Sequence, residues 1–402
     1  MIESIEIKNF KSISDMKLNL GQINVLIGEN GGGKSNILEA ISYGVAAAVD
    51  KLDNEYLGLR GIRVTEPIFM TSAFEKMKDE IIVSFFADDV NFCSYKVSTI
   101  DSKIESMILF NSEIDIDDSN VNISLSLNKK MKEVLDSEDY GYNFADNLKK
   151  SLIKSGLKES SIKITIDKSE SESESSYRDS EFFKYIKSYT FYCPEESALR
   201  TFRDDFQLLP LGRKGEGLFR YLKQLSTSND GKQVISQINE YLCLLDWFDY
   251  VDVPLDTMSN DYSIKIKDKY ISEALDYFDQ RSTNEGFLYL LFYLTLFISK
   301  DTPHFFAIDN IESSFNPKLC TRIIKFLIQL AKENEKQVII TTHNPFILDG
   351  LDLSDDAQKL LIVKRGDGGH TKIKEIAYKS ERKKKLSEIW MSGAIGGLPD
   401  NF

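Results

Sequence analysis

Val25-Leu26-Ile27-Gly28-Glu29-Asn30-Gly31-Gly32-Gly33-Lys34-Ser35-Asn36 is the stretch that decides how this chain is read. An apolar run leads into a glycine-rich loop, and the apolar-periodic segment Ile37-Leu38-Glu39-Ala40-Ile41 follows. Gly28, Gly33, Lys34 and Ser35 complete the spacing G-x-x-x-x-G-K-[ST], which marks a phosphate-binding loop when a strand precedes it and a helix follows. The chemistry needs each part. Glycines let backbone N–H groups turn toward a ligand without a Cβ clash. Those groups, with the N-terminus of the next helix, attract phosphate. Lys34 is expected to reach the β- and γ-phosphates of a nucleotide and Ser35 to hold its Mg²⁺. The helix is expected to run to about Val49.

Working outward, the 402 residues suit roughly two to three domains. A hydrophobic content of 42% beside 28% charged residues points to a globular protein with a sizeable core. The net charge of -13 argues against a generally basic nucleic-acid coat but leaves room for a local basic groove. Cys93, Cys193, Cys243 and Cys320 form no C-x-x-C pair, and the histidines are scattered, so no zinc site is expected. A reducing cytoplasm is the expected compartment. Met1–Glu6 lacks a basic n-region and a long apolar core, so no secretory signal is expected. Phe287 to Ile298 is the longest apolar run. It is too short to span a bilayer and reads as a buried helix.

Upstream of the loop, 2–7 and 16–20 alternate and read as strands, with Lys8-Asn9-Phe10-Lys11 as the turn between them. Beyond it, 80–86 and 95–100 are strand candidates. Residues from about 100 to 190 are polar and charged. Asp167-Lys168-Ser169-Glu170-Ser171-Glu172-Ser173-Glu174-Ser175-Ser176 reads as a mobile, solvated hairpin tip, with a phosphorylated or partner-binding tail as the alternative. Order is expected again from Phe183. Tyr189-Thr190-Phe191-Tyr192-Cys193-Pro194 looks like a strand ending at proline, 234–245 like an amphipathic helix, and 262–267 like a strand. Leu211-Gly212-Arg213-Lys214-Gly215-Glu216-Gly217-Leu218 is a second glycine-rich loop, read either as a turn into a helix or as a cationic contact for phosphate or nucleic acid. Arg382-Lys383-Lys384-Lys385 carries the same two readings, a solvated helix face or a phosphate contact.

Phe305-Phe306-Ala307-Ile308-Asp309-Asn310 is an apolar strand ending in aspartate, the Walker B pattern. A carboxylate at the carboxyl end of a parallel strand can hold nucleotide-bound Mg²⁺. A helix is expected over 317–333. Gln337-Val338-Ile339-Ile340-Thr341-Thr342-His343-Asn344-Pro345 reads as a neighbouring buried strand that delivers His343 at its end.

Together these residues make the chain resemble ABC-type ATPases of the RecF, SMC and Rad50 group, and the small "AAA family ATPase" proteins of bacterial defence and DNA-maintenance loci. Ile5-Glu6-Ile7-Lys8-Asn9-Phe10-Lys11-Ser12 resembles that group's first strand, and Gly28–Ser35 its Walker A. Ile308–Pro317 resembles its Walker B and D-loop, and Thr341–Pro345 its switch-histidine loop. Arg281-Ser282-Thr283-Asn284-Glu285-Gly286-Phe287-Leu288 falls where the signature motif belongs. The match covers about 1–50 and 280–402. The resemblance implies an α/β fold: a P-loop NTPase of ABC/RecF-like type with a split ATPase head and an inserted helical and strand subdomain. The head comprises a strand-rich lobe and a parallel-sheet core. The expected division is 1–60 with Walker A, 61–280 as the insertion, and 281–402 with the signature, Walker B, D-loop and switch histidine. No heptad stretch is long enough for a Rad50-style arm.

Carried over by position, the resemblance implies ATP and Mg²⁺ as ligands. Lys11, Gly28, Asn30, Gly31, Gly33, Lys34, Ser35 and Asn36 are the implied nucleotide contacts in cis; Asn284, Glu285, Gly286 and Ser314 are those in trans. Ser35 and Asp309 are the implied metal ligands, and Asp309, Asn310, Glu312 and His343 the implied catalytic set. Gln207 is the candidate for the Q-loop glutamine. Two departures matter. Asn310 stands where the family has a glutamate that polarises water, and an amide cannot accept a proton. Asn284 stands where the family has the signature serine. Both favour slow hydrolysis and a long-lived ATP-bound state. Two heads would sandwich two ATP molecules, so dimerisation would be ATP-linked.

The function expected from this resemblance is an ATP-driven sensor or clamp that controls a separately encoded effector, with nucleic acid as a further possible ligand and no membrane partner. The alternatives are a RecF-type repair ATPase and an OLD-like ATPase–nuclease. The 59 residues after His343 hold a strand pair (360–364 and 371–376) and a terminal helix but fall short of a Toprim domain, which disfavours the last.

Overall fold

The computed structural model describes residues 1–74, 80–87, 92–99, 104–117, 120–127, 162–167, 180–201, 210–254, 264–272, 275–381 and 384–398. In chain order the strands are β1 (Ser4–Phe10), β2 (Ile13–Asn19), β3 (Ile23–Ile27), β4 (Glu80–Phe86), β5 (Phe92–Ser98), β6 (Ile104–Asp117), β7 (Asn120–Leu127), β8 (Ile162–Asp167), β9 (Thr190–Tyr192), β10 (Phe248–Asp252), β11 (Lys265–Asp268), β12 (Phe305–Ile308), β13 (Gln337–Thr341), β14 (Gln358–Arg365) and β15 (Thr371–Glu375). The helices are α1 (Lys34–Ala48), α2 (Asn54–Leu59), α3 (Pro67–Met70), α4 (Glu181–Lys187), α5 (Glu196–Leu199), α6 (Leu218–Ser226), α7 (Asn229–Leu242), α8 (Glu285–Ile298), α9 (Pro317–Glu333), α10 (Pro345–Leu348) and α11 (Leu386–Met391). Two compact units emerge. Met1–Gly21, Asn30–Ser188 and Val363–Lys374 form the first; Gln22–Glu29, Tyr189–Ile362 and Glu375–Phe402 form the second.

The first unit carries a sheet in the order β2-β1-β4-β5-β6-β7-β8, antiparallel except for the parallel β7–β8 pair. Met16 and Leu18 of β2 are buried while Asp15, Lys17 and Asn19 are exposed, the period-two pattern of a sheet with one wet face. α1 lies against this sheet closely enough that a Cβ on Gly44 would come within 2.5 Å of Val83 Cγ1. β1 does not stop before Lys8, as the alternation suggested. It runs through Phe10 in an unbroken register with β2, Lys8 opposite Asp15 and Phe10 opposite Ile13. Asn9 takes a left-handed φ of 59°. Its side chain accepts from the Ser72 N–H (3.0 Å) and donates to the Glu80 carbonyl (2.7 Å), which holds this left-handed residue within the strand. β6, β7 and β8 lie inside the polar region where the sequence reading placed no strand. Residues 168–176 of the acidic tract, Gln207, Arg382 and Lys383 lie outside the described residues.

The second unit is built on the order β15-β14-β3-β13-β12-β9, in which β14, β3, β13, β12 and β9 run parallel; β15 belongs to the first unit. β3, β12 and β13 are buried along their whole length, as parallel strands covered on both faces must be. α8 is buried from Phe287 to Ile298. α9 buries Cys320, Ile323, Ile324, Leu327, Ile328, Leu330 and Ala331 at helical spacing. The small β10–β11 sheet adds a bridge from Ile266 to Phe278. The Leu211–Leu218 loop turns the chain into α6 through Gly215 (φ 97°) and Gly217 (φ 79°). Both its cations have protein partners: Arg213 stacks on Phe191 (4.3 Å) and Lys214 pairs with Glu195 (2.9 Å). Among the described residues no helix is long and apolar enough to cross a membrane.

Candidate functional site

The glycine-rich loop joins β3 to α1, and the boundary between the two units falls within it, between Glu29 and Asn30. Gly28, Gly31 and Gly33 have φ values of 150°, 78° and 112°, a backbone that side chains with a Cβ resist. At Gly33 space matters as well. A Cβ there would overlap the Thr371 hydroxyl and approach its Cγ2 to 2.8 Å.

On the first unit's side the loop carbonyls are pinned outward. The Thr371 hydroxyl donates to the Gly32 carbonyl (3.0 Å) and lies 2.6 Å from Ser12 Oγ, to which Asn36 Nδ2 donates at 2.7 Å. With the Thr371 proton committed to Gly32, Ser12 must donate to Thr371. The chain of bonds therefore runs in one direction, from Asn36 through Ser12 and Thr371 to the loop. Arg365 Nε donates to the Gly31 carbonyl (3.0 Å) while its guanidinium lies 5.1 Å from the centre of the Phe74 ring. Lys34 is buried, and α1 carries no acidic residue in its first turn to offset the positive helix end. One turn on, the buried Glu39 carboxylate meets the Lys11 ammonium and Arg63 Nε (2.6 Å). Arg63 also donates to Asn36 Oδ1 (3.0 Å). Lys11 and Asn36 thus belong to one network that braces α1 and the loop.

On the second unit's side the carboxyl ends of β3, β13 and β12 stand next to one another, since Ile308 pairs with Ile340 and Ile340 with Val25. Asp309 follows β12. Thr341, at the end of β13, donates to Asp309 Oδ1 (2.5 Å) and accepts from the Asn310 N–H (2.9 Å). One hydroxyl therefore fixes both the aspartate and the residue after it. Asn310 is exposed with φ 55°. Glu312 accepts the His343 backbone N–H through Oε1 (2.8 Å), while its Oε2 is buried with no hydrogen-bond partner among the described residues. The switch-loop backbone and Glu312 are thereby brought together, and the His343 residue is exposed. The carboxylates act on their surroundings. Burial and then Asp309 push the Cys193 thiol up, and burial and then Glu312 push Cys320 up to about 11.

Asn284 caps α8 by accepting the Phe287 N–H (2.9 Å). Two residues on, a Cβ on Gly286 would come within 3.2 Å of the Ser314 carbonyl. Ser314 is exposed with φ 65°. The segment read from sequence as the signature and the one read as the D-loop thus approach each other within this unit. At its far end, residues 393–397 approach the first glycine of the loop: a Cβ on Gly397 would lie 3.4 Å from Gly28 Cα. The sequence reading missed Ser12, Thr371, Arg365, Glu39, Arg63 and Thr341 as supporting groups. None sits at a spacing that would mark it, because each acts through a partner distant in the chain.

The family model for "AAA domain, putative AbiEii toxin, Type IV TA system" matches residues 23–349. An "ATP/GTP phosphatase" of Helicobacter pylori is 30% identical over 142 residues, 32% of this chain and 38% of that protein. The chromosome partition protein Smc of Desulfitobacterium hafniense is 37% identical over 90 residues, 22% of this chain and 7% of that protein. An uncharacterized protein of Methanocaldococcus jannaschii is 54% identical over 48 residues, 12% of this chain and 22% of its own length. The chain thus spans well under half the length of each of these relatives. A crystal structure of an Smc head bound to the C-terminal winged-helix domain of ScpA superposes with a TM-score of 0.53 at 16% identity, covering 94% of this chain and 98% of that one. The fold is that of an ABC/SMC-type P-loop ATPase head.

Proposed function

The chain belongs to the AAA-domain family described as putative AbiEii toxin, type IV TA system, and from that premise we propose an ATP-binding, slowly hydrolysing ATPase that associates head to head when ATP is bound and controls a separately encoded effector in anti-phage defence. The observation that carries the association is the contact between Gly286 and Ser314. It presents the signature segment and the D-loop as one surface, the pairing a second nucleotide-bound copy would meet. The toxin–antitoxin wording of the family description supports the effector role.

In this reading Gly28, Asn30, Gly31 and Gly33 shape the phosphate cradle, with its Gly31 and Gly32 carbonyls held by Arg365 and Thr371. Lys34 supplies charge at the β- and γ-phosphates, and Ser35 and Asp309 are the residues that would hold Mg²⁺. Each donor, taken by itself, is of the type a hard cation accepts: a hydroxyl at Ser35 and, at Asp309, a carboxylate oriented by Thr341. Mg²⁺, when bound, would neutralise developing phosphate charge. Asn310 can position water but cannot take its proton. A second reading of the base rests on Glu312, whose buried Oε2 is an acceptor that no group among the described residues satisfies.

A direct nucleotide-binding assay tests the proposal. Wild type is expected to bind ATP in an Mg²⁺-strengthened manner and Lys34→Ala to lose binding by at least tenfold. Equal affinity in the two proteins contradicts it. A RecF-type repair role is the second functional reading, supported by the partial Smc match. A nuclease or toxin reading frame beside the gene favours the effector role over repair.

A further inference from the structure

Arg200 closes α5 and faces a group of backbone carbonyls. Its Nη1 donates to Gln280 (3.1 Å), Arg281 (2.9 Å) and Thr283 (2.9 Å), and its Nε pairs with Glu196 (2.8 Å). These carbonyls belong to the loop that leads into Asn284 and α8. Three carbonyl dipoles converging on one point repel each other unless a cation stands there. A guanidinium, always charged and anchored by a second edge, suits that task. The loop is folded from its other side by Asp279, whose carboxylate accepts the Arg281 and Ser282 N–H groups (3.0 and 2.9 Å). Gln280 is buried and accepts the Ile264 N–H (3.0 Å). With the carbonyl side held by Arg200, Asn284 is delivered to its capping position and Gly286 to Ser314.

The same segment reaches the Walker B residue. The Tyr192 carbonyl accepts the Asp309 N–H (2.8 Å), and two residues later the Pro194 carbonyl accepts the Tyr289 hydroxyl of α8 (3.2 Å). Residues 192–200 therefore bond at one end beside Asp309, in the middle to α8, and at the far end to the loop before it.

We infer that Arg200 is a positioning residue: by gathering the carbonyls of Gln280, Arg281 and Thr283 it holds the Asn284–Gly286 segment in the shape that engages ATP bound by a second copy of the chain. The inference rests on the ATP-linked association proposed above. It assigns Arg200 a role in trans only, with nucleotide bound by the same copy left unaffected.

The experiment uses the full chain as wild type, Arg200→Ala and Lys34→Ala, each with and without Mg-ATP. Nucleotide binding is read by fluorescence of an ATP analogue and association by mass. Wild type should associate with ATP. Arg200→Ala should bind nucleotide within about twofold of wild type, as an intact fold and P-loop require, yet associate at least tenfold more weakly. Lys34→Ala should neither bind nor associate. An equimolar mixture should associate where neither variant does alone, because ATP on the Arg200→Ala copy meets an intact signature segment on the Lys34→Ala copy. A destabilised fold or a defect in cis gives no such rescue. Association of Arg200→Ala at wild-type strength, or a mixture no better than its parts, overturns the inference. Failure of wild type itself to associate with ATP instead overturns the reading beneath it. If Arg200→Ala does not bind nucleotide, Arg200→Gln, which keeps a polar side chain of similar reach but removes the cation, takes its place in the same mixture with the same criteria.

Discussion

Thr341 Oγ1 spans Asp309 and Asn310, and Glu312 spans the D-loop and the His343 backbone; at the scale of residues, hydrolysis turns on which of these groups handles water. Asn310 sits exposed in a left-handed conformation, whereas Glu312 holds a carboxylate oxygen without a partner among the described residues. A general base contributes about a hundredfold to ten-thousandfold. If Asn310 marks a slow site, wild type should turn over slowly and Asn310→Glu should raise the rate, with Glu312→Gln a minor change. Steady-state phosphate release from the three proteins decides. Brisk wild-type turnover that disappears in Glu312→Gln assigns the base to Glu312 and refutes the slow-site role of Asn310. The glycine loop was legible at this scale because phosphate geometry dictates the spacing of Gly28, Gly33, Lys34 and Ser35. Its braces were not. Ser12 and Thr371 meet across 359 residues of sequence, and any pair of hydroxyls could have met that need.

At the scale of elements, long apolar segments announced themselves. α8 from Phe287 onward and the strands β3, β12 and β13 along their whole length are buried, and their composition leaves no other place for them. β6 to β8 did not, although Ile114-Asp115-Ile116-Asp117 and the whole of β7 alternate with period two. The polar composition of the surrounding region hid that alternation. The link from α8 to β12 holds a further feature that no pattern marks. Lys336 Nζ, fully buried, donates to the carbonyls of Ser299 (2.8 Å), Thr302 (2.9 Å) and Pro303 (3.3 Å). Burial lowers its pKa from 10.5 to about 7, partly opposed by the Asp301 carboxylate. The unfolded chain therefore holds this proton up to about pH 10, while the native chain releases it near neutrality. Between those limits the unfolded state binds more protons, so stability rises with pH, and the cost of the buried charge is complete below pH 7. The buried thiols of Cys193 and Cys320 act in the opposite direction, so the comparison must be differential. Between pH 6.5 and 9, urea unfolding should show wild type gaining about 1–3 kcal/mol relative to Lys336→Met. Parallel pH profiles for the two proteins contradict this assignment.

At the scale of the whole molecule, the chain divides by contact into two interleaved units, and the division passes through the glycine loop itself. The sequence reading has one head, 1–60 together with 281–402, split by an insertion over 61–280. The return of Val363–Lys374 to the first unit from near the end of the chain was not legible, because local pattern carries no information about pairing across such distances. The ABC/SMC-type fold was legible, since its Walker motifs lie in the parallel strands and the loops that leave them. In the proposed cycle, ATP binds one copy through its glycine loop and is closed over by the signature segment and D-loop of another. A ligand that prefers the closed dimer must shift the equilibrium toward it. The most direct measurement is the mass of the full chain by sedimentation or light scattering, with and without Mg-ATP, for wild type and Lys34→Ala. Wild type should move toward the dimer, or from a weaker dimer to a tighter one, only when nucleotide is present, and Lys34→Ala should not respond. A wild-type mass and association strength unchanged by Mg-ATP, in protein that demonstrably binds it, would contradict ATP-linked association.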